Sequence, residues 1–149
     1  MKIIGAPGYR PATRAAIDTF LAAPRIMRLG VTEPDGTPLV HPVWYTWERD
    51  QFLVHIGTPS PKRRAIEAQP VVYFTIDEAQ PDTIFGVRGK AHATLLLEPA
   101  RVRDVVQAQC DHYKGAAETA THNFLLGMVE RGEMILARLT PRYLATWGL

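Results

Sequence analysis

The sequence predicts a mainly β protein, an antiparallel sheet or barrel with flanking helices. Three observations point there. Short apolar stretches between Ile26 and Ile76 are punctuated by tight turns of proline, glycine and acidic residues. One long stretch, 83–97, reads as a single extended strand. The two longest helical patterns come late, instead of alternating with strands as in a doubly wound fold. No strand–GxGxxG–helix signature occurs, so any nucleotide held here is not held in the Rossmann manner.

The totals narrow the class. A chain of 149 residues makes one domain, 1–149, long enough to bury a real core. A net charge of +2, with basic residues scattered apart from Lys62 to Arg64, gives no argument for nucleic acid as a partner. The single cysteine, Cys110, excludes an internal disulfide and a multi-cysteine metal site and fits a reducing compartment. No apolar run approaches the roughly 20 residues of a membrane span, and residues 1–8 lack the apolar core of a signal peptide. No membrane partner is expected, and the cytoplasm is the expected location.

Taken in order, residues 1–11 are rich in glycine and proline and read as an N-terminal arm. Thr13 caps a helix to about Ala22, with Ile17, Phe20 and Leu21 on one face, and Pro24 ends it. Strands follow at 26–32 and 38–47 around a turn at 33–36, then at 52–56. A short helix covers 62–68, a buried strand 71–76, and a loop 77–82 leads into the long strand. Within that strand, Gly86 and Gly89 mark bulges or close approaches. Glu98-Pro99 opens a helix whose stripe is Val102, Val105, Val106, Gln109, Cys110 and Tyr113. That spacing makes Cys110 a packing residue, not a nucleophile. A second helix spans about 116–130 with Phe124, Leu125, Met128 and Val129, and two strands, 133–139 and 143–147, close the chain.

The stretch 55–64 carries the strongest local chemistry. Gly57, Pro59 and Pro61 tighten the connection, Ser60 caps the helix, and Pro61 suits its first turn. Free amide donors at a helix start, the hydroxyls of Thr58 and Ser60, and the cations Lys62, Arg63 and Arg64 together favour a phosphate. Elsewhere, His92, His112 and His122 show no metal-ligand spacing with one another or with Cys110. Trp44 and Trp47, three apart on a strand, face opposite sides of the sheet.

Four stretches carry a family resemblance: 29–38, which looks like an opening hairpin; Val40-His41-Pro42-Val43-Trp44-Tyr45; the basic loop with Ser60, Lys62 and Pro70; and Val87-Arg88-Gly89-Lys90-Ala91. With Leu139-Thr140-Pro141 and Trp147 closing the chain, their order resembles the split-barrel flavoproteins that include pyridoxamine 5′-phosphate oxidase, over roughly 24–147. The resemblance implies an FMN-binding split β-barrel that pairs as a homodimer, with flavin at the interface and a small-molecule substrate. Ser60 and Lys62 would hold the 5′-phosphate, assisted by Arg63 or Thr58. His41, Pro42, Val43 and Trp44 would flank the ring, and Trp147 would cover it from the second subunit.

The chain also departs from that pattern. Ile56 stands where a threonine often lies near the phosphate, and Ile84 where the oxidase has a glutamine facing the flavin. The oxidase runs on past the closing tryptophan into an arginine–histidine segment that grips pyridoxal phosphate, whereas this sequence stops at Leu149. A divergent relative with little or no pyridoxamine phosphate oxidase activity is therefore expected. Three functions remain open: an FMN-dependent oxidoreductase, a reductase using the deazaflavin coenzyme F-420 in the same groove, and a non-catalytic flavin binder or sensor.

Overall fold

A computed structural model describes residues 1–115 and 119–149. Its elements are β1 (Lys2–Gly5), α1 (Arg14–Leu21), β2 (Met27–Thr32), β3 (Pro38–Val43), β4 (Thr46–Glu48), β5 (Gln51–Gly57) and α2 (Pro61–Ala68), followed by β6 (Val71–Gln80), β7 (Thr83–Leu96), α3 (Pro99–Lys114), α4 (Ala120–Glu130) and β8 (Met134–Trp147). The strands form one sheet in the order β3-β2-β6-β7-β8-β5-β4, with β1 added beside β8. All pairings are antiparallel except β1 with β8.

The sheet curls because of one short link. β3 and β4 are its two ends, yet only Trp44 and Tyr45 separate them in the chain. Three Cα steps span at most about 11 Å, so the sheet must bend round until its ends meet. The mainly β, split-barrel expectation is met, with eight strands. The expected strand 38–47 is divided at that corner. Tyr45 turns into the barrel, 2% exposed, and its amide donates to the Tyr113 hydroxyl at 3.2 Å.

Two apolar clusters share β5. Its inward residues Phe52, Val54 and Ile56 join Leu29, Phe74, Ile76 and Leu139 inside the barrel, where Ile17, Phe20 and Leu21 of α1 also pack. Outside, Leu53 lies under Val102, Val106 and Cys110 of α3, with Leu125 and Met128 of α4 against the same layer. Both faces of β5 are thus covered, and its burial is nearly continuous. Cys110 is fully buried, and burial pushes its thiol up, so it packs as expected. Trp47 joins the barrel cluster and Trp44 the helical one, on opposite sides of the sheet.

Three expectations are corrected. Residues 2–5 of the presumed arm form β1, which pairs in parallel with Tyr143–Thr146. The presumed loop from Asp77 is mostly strand, because the β6–β7 ladder runs out to Gln80↔Thr83 as an exposed ribbon. The two closing strands are one: the register shifts between Lys90 and Ala91, leaving Arg142 unmatched and seating Pro141 at the irregularity. Thr119 caps the last helix, while positions 116–118 of the expected helix lie outside the described residues. Gly86 and Gly89 are close approaches: an added Cβ would lie 2.5 Å from the Ile76 carbonyl oxygen at the first and 2.4 Å from that of Tyr143 at the second.

Candidate functional site

Where the barrel corner meets the helical layer, a cavity of about 390 Å³ opens, within the size range of small-ligand sites. Pro42, Val43 and Trp44 form one wall at the end of β3, and His55 and Gly57 come from β5. Lys62 enters from the first turn of α2, while Phe124, Leu125 and Met128 of α4 close over the top. Gly57 keeps this roof low, since an added Cβ would lie 3.0 Å from Met128 Cε.

Local sequence explains how Lys62 arrives there. Ser60 caps α2, its hydroxyl accepting from the Arg63 amide at 3.3 Å, and Pro61 occupies the first turn. Ala65 and Ile66 are buried and fix the helix against the barrel, which points Lys62 into the cavity. Burial lowers the Lys62 ammonium from its ordinary value, and among the described residues no acidic group offsets that effect. An apolar cavity with one such cation suits an anion.

The expected site residues do not all converge. Lys62, Pro42, Val43 and Trp44 share this cavity. Thr58 and Arg63 line a separate one of about 280 Å³ beneath α3, and Arg63 is tied to Glu67 at 2.8 Å, one helical turn on. Ser60 is committed to its cap, although its own proton stays free to donate. His41 points inward beside the cavity; its Nε2 is sealed without a hydrogen-bond partner, and burial and then Lys62 hold the ring below the ordinary histidine value, against Glu33. Trp147 pairs with Gly86 on the outer face and rests its indole over that glycine. It lines none of the cavities described here.

Sequence reasoning gave no site role to His55, Gln109, Tyr113 or the roof residues of α4. Trp44 stacks on Tyr113, and His55 meets the edge of Trp44 with centroids 5.9 Å apart. Gln109 approaches His55 Nδ1 at 2.6 Å. One signal was available: Gln109 falls within the apolar stripe of α3 and His55 shares a face of β5 with Leu53, and buried polar groups need partners.

A larger cleft, about 520 Å³, crosses the outer sheet face. Register aligns Val40, Gly30, Tyr73, Lys90 and Tyr143 across five strands there, and Gly30 leaves the trough. Val40, Tyr73 and Ile84 are 67%, 52% and 58% exposed. Pro42 lies opposite Arg28 in the next row, so the Lys62 cavity borders this face. Among the described residues no cluster of metal-ligating side chains occurs, and no helix is long and apolar enough to cross a membrane.

The family model described as pyridoxamine 5′-phosphate oxidase matches residues 13–147. No curated protein matches in sequence. Among solved structures, a conserved hypothetical protein from Mycobacterium tuberculosis is 22% identical, with 91% of this chain and 84% of that one covered at a TM-score of 0.78. An FAD-binding protein from Mesorhizobium loti is 17% identical, covering 91% and 94% at 0.68. A protein described as F420 reductase is 20% identical, covering 86% and 94% at 0.64. At these identities the likeness is one of fold.

Proposed function

The chain belongs to the pyridoxamine 5′-phosphate oxidase family, and from that premise we propose that it is an FMN-dependent oxidoreductase acting on a small molecule. Lys62 carries the reading. It is a partly buried cation with no carboxylate among the described residues offsetting its burial, in a cavity whose other walls are the segment from Pro42 to Trp44 and the roof of α4. A phosphate monoester supplies the missing charge, with the Ser60 hydroxyl and the α2 amides at hand. Flavin, when bound, supplies hydride or single-electron transfer, while the protein binds, orients and excludes water. Trp44, braced by Tyr113, gives a flat apolar wall for that purpose.

The site is completed by a second copy. The outer face exposes Val40 and Tyr73 beside the cleft that Gly30 leaves, and it borders the cavity through Pro42 and Arg28. A two-fold pairing covers this patch on both chains at once. The partner's Trp147 is then the cover for the exposed side of the ring. The deazaflavin F-420 in the same groove is the second reading, favoured by the likeness to the F420 reductase.

Titrating purified protein with FMN, with absorbance and light scattering read together, tests this proposal. One FMN per chain in a dimer is expected. A monomer that binds FMN stoichiometrically removes the shared site, and binding of F-420 but not FMN moves the cofactor to the second reading.

A further inference from the structure

Gln109 sits in the buried stripe of α3, 1% exposed, and chemistry fixes the direction of its amide. Its Nε2 lies 3.0 Å from the Leu53 carbonyl oxygen and 3.2 Å from Thr46 Oγ1. A carbonyl can only accept, so the nitrogen end faces Leu53 and the oxygen end faces His55. That oxygen accepts from His55 Nδ1 at 2.6 Å, so Nδ1 carries the hydrogen. The neutral ring therefore keeps a lone pair on Nε2. This atom has no hydrogen-bond partner among the described residues, is not sealed, and belongs to a ring that lines the Lys62 cavity.

The surroundings of His55 hold few charges. Among the described residues, Lys62 is the only charged side chain lining the cavity, and His55 is the only other titratable one. From α4 come Thr121, Phe124, Leu125 and Met128, and from β8 Met134, all uncharged. On α3, Tyr113 and Lys114 reach the Trp44 ring, and on α2 Arg63 is paired with Glu67. His41 stands beside the cavity on β3 without lining it. Burial and Lys62 hold His55 below the ordinary histidine value, against the Gln109 hydrogen bond. A phosphate on Lys62 reverses the sign of the local field, because its charge of about −1.5 to −2 exceeds that of one ammonium.

We infer that His55 is a second phosphate-binding group of this cavity, taking up a proton on Nε2 as a phosphate monoester docks on Lys62 and donating it in a hydrogen bond to a phosphate oxygen. The inference rests on the cavity being the phosphate site proposed above. One proton passes from solvent to Nε2, the ring becomes imidazolium with a hydrogen on each nitrogen, and no other bond changes. Gln109 is a positioning residue: it retains the Nδ1 hydrogen bond in both states and aims Nε2 into the cavity.

The test follows the imidazole nitrogens of His55 by NMR across pH, with His55→Gln to assign them. Inorganic phosphate, FMN and riboflavin are the probes. The phosphate's own second ionisation near pH 6 makes a site-specific readout necessary. Phosphate and FMN should each raise the His55 pKa by about one unit or more, while riboflavin leaves it in place. In His55→Gln, FMN affinity should lose the component that falls by up to about tenfold per pH unit, the limit for one linked proton. If FMN binds through its phosphate and His55 titrates as in the free protein, this inference fails and the cofactor reading stands. If inorganic phosphate moves His55 but FMN does not bind, the inference stands and the FMN reading fails. If neither phosphate nor FMN moves His55 and neither is held by Lys62, both fail.

Discussion

Trp44 lies flat on Tyr113, ring centroids 4.9 Å apart and planes 7° from parallel. One ring comes from the corner where the sheet closes and the other from α3, so this stack ties the helical layer to the barrel at the cavity wall. The Tyr113 hydroxyl adds a second tie, accepting from the Tyr45 amide at 3.2 Å and donating to the Arg25 carbonyl at 2.8 Å.

Tyr113→Phe keeps the ring and removes only the hydroxyl. It leaves the Tyr45 amide without its partner, so the expected loss is about 1–3 kcal/mol in urea unfolding at unchanged slope. Tyr113→Ala should lose more and alter Trp44 fluorescence, because the stack goes too. A Phe variant as stable as the parent would show that the hydroxyl bonds carry no net stability.

Gly89→Ala should destabilise by about 1–3 kcal/mol or block folding. The new methyl meets the Tyr143 carbonyl oxygen at 2.4 Å and the Phe74 ring at 2.8 Å, and backbone in mid-sheet cannot step aside. Gly36→Ala, at a turn with open space but a φ of +89°, tests conformational strain without a clash and should cost less. Thermal unfolding of the pair ranks the two effects, and equal midpoints would contradict this reading.

Stability of the ligand-free protein should fall with pH between about 7.5 and 5.5. Burial comes first in holding both His41 and His55 below the ordinary histidine value of 6.5, and Lys62 adds to it. Above that value both rings are neutral in either state, and full stability is present. Below it the unfolded chain binds protons that the folded chain refuses, so stability drops until the folded values are passed. Urea midpoints across this range check the slope, which His55→Gln should make shallower. A flat profile would mean that neither ring is held neutral.

Local features of this fold were legible in the sequence and distant ones were not. Ser60-Pro61 announced α2, and the spacing from Val102 to Tyr113 announced the buried face of α3, because caps and periodicity act within a few residues. β1 escaped notice because its partner Tyr143–Thr146 lies at the far end of the chain. Asp77 to Gln80 is polar enough to read as loop, yet β7 pairs with it residue by residue. At the site, Lys62 and the wall from Pro42 to Trp44 were visible as types in a pattern. Arg63 pairs with Glu67, four residues on, a spacing that joins charges on a helix and could have been read from the sequence. The α4 roof and the His55–Gln109 contact depend on how the late helices dock, which no local signal encodes.

The central claim is that Lys62 holds a phosphate, and the most direct measurement compares FMN and riboflavin binding to the parent and to Lys62→Ala. FMN binding should weaken by about 1.5–3 kcal/mol, the range for a hydrogen bond to a charged group, while riboflavin binding stays the same. Equal weakening of both ligands, or of neither, would contradict it.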